Sequence, residues 1–291
     1  MRSALLTVAA LSCAVAAGGA THAPAVASAA APSGASGAPA VASAGAPTGA
    51  EHAPTSAASP TTTAGADLRP VRPVGLEAPL GDERLSDEAR LSRYAGAVAL
   101  TVVRSRPNAK APQVGRLRYR TEDGPLEVYP VLESRVDGAE ATWVRVRLPM
   151  RPNGTTGWVP RDDLGPLQVV RTLLRVDRGT LRATLLREGR PIWSSRIGVG
   201  TAATPTPAGR FWIRSRLRGL RGAPQYGPYA FGTGAYSVLS DWPGGGVIGI
   251  HGTDRPGLIP GRPSHGCVRV PNAAITRLWR LLPIGTPVRI V

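Results

Sequence analysis

Apolar and polar residues alternate with period two in Thr142-Trp143-Val144-Arg145-Val146-Arg147-Leu148, the pattern of a half-buried β-strand. Val98-Ala99-Leu100-Thr101-Val102-Val103 and Leu126-Glu127-Val128-Tyr129-Pro130-Val131 are short apolar runs of strand length. Turn residues punctuate them at Pro107-Asn108, Asp123-Gly124, Asp137-Gly138 and Asn153-Gly154. About five short strands with tight turns predict a small all-β barrel over residues 94–166.

Residues 167–291 continue the strand pattern with Leu167–Val170, Leu173–Asp177, Leu181–Arg187 and Ile192–Val199. The last two flank Glu188-Gly189-Arg190-Pro191, which predicts a hairpin with a Gly-containing four-residue loop. Thr204-Pro205-Thr206-Pro207-Ala208-Gly209 is a proline-stiffened loop entering a further strand. Helical spacing is confined to Asn272–Leu282, where Ile275, Leu278, Trp279 and Leu282 share a face between Pro271 and Pro283. A strand from Pro287 to Val291 follows. The fold class expected is mostly β: a small barrel, then a β-rich domain with one main helix.

The amino terminus reads differently. Arg2 precedes an apolar run from Ala4 to Ala17, followed by the small-residue motifs Ala25-Val26-Ala27 and Ala27-Ser28-Ala29. This is the pattern of a cleaved secretion signal over residues 1–29, too short for a membrane span. Residues 30–93 form an expected disordered linker, rich in Ala, Pro, Ser and Thr until about residue 63. Within it, Ser86–Tyr94 carries a helix-like pattern too short to assign. The expected location is outside the cytoplasm, at the cell envelope, with no membrane span in the mature chain.

Charge is concentrated at the carboxyl end, where residues 167–291 hold 18 Arg against 4 Asp and Glu. The excess favours polyanionic partners. With an export signal, anionic wall polymers or lipid surfaces are expected ahead of nucleic acid, for which no binding motif is present.

Chemistry enters with cysteine. Only Cys13, inside the apparent signal, and Cys267 occur, so an exported mature chain would carry one thiol without an internal partner. Cys267 sits in Ser264-His265-Gly266-Cys267-Val268-Arg269, and His251 ends the apolar run Val247-Ile248-Gly249-Ile250. A cysteine acyl-transfer site needs a thiolate, a proton-moving base and donors for an oxyanion. Cys267 and His251 supply the first two, with His251 expected to lower the thiol pKa. The amides around Gly266 and Cys267 are the expected oxyanion donors, since Gly266 lets the backbone approach a substrate closely. A zinc site from His251, His265, Cys267 and Asp254 is the weaker alternative, because no regular ligand frame appears. No metal and no cofactor are expected.

These residues carry a resemblance. Ile250-His251-Gly252-Thr253, Ser264-His265-Gly266-Cys267-Val268-Arg269, Pro283-Ile284-Gly285-Thr286-Pro287-Val288 and the Thr204–Gly209 loop resemble the YkuD-type L,D-transpeptidase catalytic domain, over about 167–291. The resemblance implies a peptidoglycan stem-peptide substrate and a 3→3 crosslink made through a thioester on Cys267. It implies His251 as proton acceptor and donor, the peptide units around His265, Gly266 and Cys267 as the oxyanion hole, and Arg269 as a contact for a substrate carboxylate, against a structural salt bridge. Ser264 and Gly252 are further expected substrate contacts, Ser264 also bonding within its loop. A backbone carbonyl near Gly252 is expected to orient His251. Tyr226, Tyr229 and Phe231 are expected in a substrate wall or lid. Thr156-Gly157-Trp158-Val159-Pro160 through Leu164, with Val103-Arg104-Ser105 and Trp143–Val146, resembles the bacterial SH3-like domain, which implies wall binding. Trp143 and Trp158 could line a groove there or fill its core. Competing functions are an L,D-carboxypeptidase, which passes the thioester to water, and a non-catalytic wall-binding protein.

Overall fold

The computed structural model describes residues 80–218, 223–240 and 243–291. The signal expected over 1–29 and the linker up to residue 79 lie outside the described residues. Two sheets organise the rest. The first contains β1 (Glu83–Arg84), β2 (Ser92–Gly96), β3 (Val102–Arg104) and β4 (Gln113–Arg116). It continues with β5 (Val128–Val136), β6 (Thr142–Arg147), β7 (Thr156–Pro160) and β8 (Gln168–Val170). The order is β4-β3-β7-β6-β5-β2-β8, antiparallel throughout, with β1 on β5.

This sheet extends beyond the expected limits at both ends. Ser86–Leu91 is no helix: Asp87 Oδ1 accepts from the N–H groups of Ala89, Arg90 and Leu91, closing a compact Asx turn. Leu85 and Ala95, on either side of that turn, are buried in the sheet's core with Val103, Val131, Val144 and Val146. Gln168–Val170, read as the start of the second domain, pairs with Ser92–Tyr94 and completes the first sheet. The run from Val98 shortens to Val102–Arg104, because Val98 and Leu100 point to solvent. Trp143 and Trp158 are buried, and the Trp143 indole donates to Asp137 at 2.8 Å, so both fill the domain interior.

The second sheet contains β9 (Thr172–Asp177), β10 (Arg182–Arg187), β11 (Arg190–Arg196), β12 (Gly198–Gly200) and β13 (Gly209–Arg218). It adds β14 (Tyr229–Tyr236), β15 (Val247–His251), β16 (Gly261–Ser264), β17 (Val268–Arg269) and β18 (Pro287–Ile290). The order is β11-β10-β9-β18-β13-β14-β15-β17-β12-β16. The β10–β11 hairpin turns on two residues rather than four: Glu188 and Gly189 both have positive φ, and Arg187 pairs with Arg190. The single helix described, α1 (Asn272–Leu281), buries Ile275 and Leu278 against Phe211, Ile213, Phe231 and Ile250. Trp279, on its edge, stacks on Tyr229 with ring centroids 4.6 Å apart, under the Arg216 guanidinium.

Buried polar contacts hold the two sheets together. Arg214 on β13 is 1% exposed and forks onto Glu127, also 1% exposed, its Nε lying 3.0 Å from Oε1. Its Nη2 reaches Glu122 Oε2 at 2.9 Å, and Tyr236 donates its hydroxyl to Glu122 Oε1 at 2.7 Å. Burial by itself would raise the Glu122 pKa, but Arg214, with help from Tyr236 and Arg118, holds it down at about 2. The Trp212 indole donates to Val128 O at 2.8 Å. A buried ion pair like this contributes little net stability while intact, yet losing one member leaves a buried uncompensated charge.

Candidate active site

Parallel pairing of β15 with β17 sets the site. Ile250 pairs with Val268 and His251 with Arg269. Side chains alternate faces along a strand, so Ile250 and Val268 point into the core, where they are 1% and 0% exposed. His251 and Arg269 therefore share the opposite face, with Cys267 immediately before the first residue of β17. Gly249 lies between thiol and imidazole. A Cβ built there would sit 3.7 Å from His251 Cδ2 and 3.8 Å from Cys267 Sγ. The glycine keeps that space open, and its N–H donates to Sγ at 3.3 Å.

The imidazole is fixed in one tautomer. His251 Nδ1 is 2.6 Å from Gly252 O, and a carbonyl can only accept, so Nδ1 carries the proton. The carbonyl expected near Gly252 is that residue's own. Nε2 is left as the basic nitrogen. Burial lowers the His251 pKa to about 4, with Arg269 pushing the same way against the Gly252 bond. Burial also raises the Cys267 pKa, against the Gly249 N–H and Arg269. The expected lowering of the thiol pKa is thus reversed at rest. Desolvation outweighs the neighbouring donors at the thiol and likewise opposes charge on the imidazole.

The loop before Cys267 is braced from several sides. Ser264 is 2% exposed; its hydroxyl donates to Cys267 O at 2.6 Å and accepts from Gly266 N at 3.2 Å. That is the within-loop role expected of it, and its burial leaves no open face for the expected substrate contact. Gly252 is likewise enclosed: its N–H donates to Tyr229 O, its carbonyl takes His251, and an added Cβ would lie 2.4 Å from Asn272 Oδ1. It orients the base and has no room to bind substrate. Gly266 has φ +121°, a conformation that favours glycine. Because its N–H is engaged by Ser264, it is a poorer oxyanion donor than expected. Thr206 Oγ1 donates to Gly266 O at 2.7 Å and accepts from Gly200 N at 2.9 Å. In a trans peptide the C=O and N–H point opposite ways, so the Cys267 N–H is directed away from Thr206.

His265 is exposed, and the Ser237 hydroxyl donates to its carbonyl at 3.2 Å. Arg269 has a buried Nε without a hydrogen-bond partner, and no carboxylate pairs with it among the described residues. The structural salt bridge is therefore absent there. Tyr226 meets the His251 ring edge-on at 4.8 Å, the only one of the three named aromatics that touches the site directly. Tyr229 and Phe231 instead pack on Trp279. Asp254 is exposed, and among the described residues no three His, Cys, Asp or Glu side chains gather as metal ligands. Thr206 and Ser237 were not singled out by sequence; the Thr204–Gly209 loop motif was the available signal for the first.

The family model that matches this chain is YkuD, the L,D-transpeptidase catalytic domain, over residues 171–290. That segment is a YkuD-type domain. The YkuD protein of Bacillus subtilis (strain 168) is 32% identical over 117 residues, 40% of this chain and 64% of its own length. Its Bacillus licheniformis counterpart is 32% identical over 120 residues, 41% of this chain and 64% of its length. The chain thus spans just under two thirds of the relatives it matches. An Enterococcus faecium L,D-transpeptidase structure matches at 26% identity, covering 41% of this chain and 49% of that one, with a TM-score of 0.33. One from Mycobacterium tuberculosis H37Rv matches at 13% identity over 68% of this chain and 95% of that one, with a TM-score of 0.37. Ahead of the YkuD-type domain, residues 83–170 form an antiparallel accessory β domain. Among the described residues no helix is long and apolar enough to cross a membrane.

Proposed function

We propose that the protein is an exported peptidoglycan L,D-transpeptidase that forms 3→3 crosslinks through a thioester on Cys267. His251 Nε2 takes the thiol proton as Sγ attacks the carbonyl carbon between the third and fourth residues of a tetrapeptide stem. The carbonyl electrons move onto oxygen, where the Cys267 N–H donates to the developing charge. Collapse breaks the C–N bond, and the imidazolium returns its proton to the departing D-amino acid. An amine of a second stem then loses a proton to His251, attacks the thioester and releases the thiol with a new amide bond. Arg269 holds a stem carboxylate, the partner its guanidinium otherwise lacks.

The arrangement that supports this reading is Cys267 and His251 flanking Gly249 on one sheet face, with Nδ1 locked on Gly252 O. A proton transfer that accompanies attack suits such a pair, since a buried thiolate at rest would be poorly solvated. The accessory domain is proposed to be SH3-like over about 94–166, as its motifs suggest, and to bring the enzyme to the wall. Incubation with disaccharide-tetrapeptides, followed by mass analysis of the products, tests the function. A crosslinked dimer with release of the terminal D-residue is expected, and Cys267→Ala should form none. A tripeptide without dimer would mean transfer to water, and unchanged substrate would overturn the enzymatic reading.

A further inference from the structure

We propose that Arg151 and Asn153, in the β6–β7 turn of the accessory domain, are positioning residues for the cysteine loop, so that this domain is a working part of the catalytic site. Asn153 clasps the Tyr236 backbone reciprocally: Nδ2 donates to Tyr236 O at 2.8 Å, and Oδ1 accepts from Tyr236 N at 2.9 Å. Arg151 Nη2 donates to the carbonyls of Ser237 (2.8 Å), Leu239 (3.0 Å) and Gly245 (3.1 Å). One guanidinium thus ties both ends of the excursion between β14 and β15. Its planar fork suits this clustering, which an ammonium would not reproduce. Gly246 makes room for it, because a Cβ there would lie 2.8 Å from Arg151 Nη2 and 2.0 Å from Leu239 O.

Ser237 passes the constraint on. It is 5% exposed, its N–H donates to Gly246 O, and its hydroxyl donates to His265 O at 3.2 Å. Two successive hydrogen bonds therefore connect Arg151 to the His265–Gly266 peptide, whose N–H is held by Ser264. The next peptide carries the Cys267 N–H. A clamp of this kind works only if its base is fixed. The Arg214–Glu127–Glu122 cluster and the Trp212–Val128 bond supply that anchorage. Nothing in the local sequence of the catalytic loop would encode this support.

The inference rests on Cys267 as the nucleophile, and its test separates the two ideas. The full chain is compared with Arg151→Ala/Asn153→Ala and with Arg147→Ala, which breaks the Glu88 ion pair inside the accessory domain. Cys267 alkylation by iodoacetamide is followed against pH, and kcat and KM are measured on a disaccharide-tetrapeptide. In the double variant kcat should fall about tenfold with KM nearly unchanged, a cost in the range that small misplacements of reacting groups produce. Its alkylation midpoint should move down toward that of an ordinary thiol as the loosened loop hydrates. Arg147→Ala should lower Tm and leave both readouts alone. A folded double variant with the wild-type alkylation profile and kcat would overturn the proposal. If the double variant does not fold, Asn153→Ala alone should give a smaller shift in the same direction, and a wild-type profile there overturns it equally. If wild type leaves the tetrapeptide intact, the substrate assignment fails, while the alkylation profiles still decide the role of the clamp.

Discussion

Thr206→Val removes one hydroxyl and almost no volume. The side chain is 1% exposed, and its oxygen serves both Gly266 O and Gly200 N. A methyl group in its place leaves a buried carbonyl and a buried amide without partners. Each such loss costs about 1–3 kcal/mol, so about 2–5 kcal/mol of unfolding free energy should disappear. The kinetic effect is separate. Once Gly266 O is released, the Gly266–Cys267 peptide can rotate and the Cys267 N–H loses its aim. Removing one oxyanion donor typically costs 10²–10³ in kcat, so a loss of about 10² is expected for a misaligned one. Urea denaturation followed by tryptophan fluorescence measures the first effect. Turnover at a temperature where the variant is folded measures the second. Thr206→Ser, which keeps the hydroxyl, should recover most of both. A folded Thr206→Val protein with wild-type kcat would refute the reasoning that this bond aims the oxyanion donor.

Arg214→Met leaves the buried Glu127 carboxylate, among the described residues, with only the longer Arg118 ion pair at 3.7 Å and should cost about 3–5 kcal/mol in urea denaturation, whereas adding Glu127→Leu should restore much of it; a single-variant loss below about 1 kcal/mol would contradict the buried pairing. Two strongly shifted groups, His251 and Glu122, shape the acid side of the stability profile in successive windows. His251 is neutral in the fold down to about 4 but takes a proton from 6.5 downward when unfolded, so stability falls by about 3 kcal/mol as pH drops through that window. Glu122, held at about 2 against an ordinary 4.5, stabilises the fold above 4.5 and loses that contribution between 4.5 and 2. His251→Gln should flatten the profile between 6.5 and 4 only, and an unchanged slope there would argue against a buried neutral imidazole. Gly249→Ala places a methyl at ordinary contact distance between thiol and imidazole. Tm should hardly move while turnover falls about tenfold or more, and a wild-type rate would mean that this space is not on the proton path.

The nearness of Cys267 to His251 was legible because both sit in distinctive short stretches: a lone cysteine after a glycine, and a histidine ending an apolar strand. Helix α1 was legible for a similar local reason, the spacing of Ile275 and Leu278 between two prolines. The polar supports were not. Thr206, Ser237, Arg151 and Asn153 support the site across 28 to 94 residues of sequence, and nothing in their immediate surroundings distinguishes them from ordinary turn residues. Strand β1 escaped notice because its two residues, Glu83 and Arg84, are exposed and polar. The helix-like pattern of Ser86–Tyr94 could not be assigned from composition, and Asp87 turns the chain with its carboxylate before a helix can start. The sign of the thiol pKa also depended on burial, which sequence spacing does not report.

Intact-mass spectrometry of the protein, quenched in acid during turnover of a disaccharide-tetrapeptide, tests the thioester on Cys267 most directly. The expected result is a mass increase equal to the stem acyl group without its terminal D-residue, mapped to Cys267 and missing from Cys267→Ala. Product formation without any adduct on Cys267, or an adduct that survives in Cys267→Ala, would contradict it.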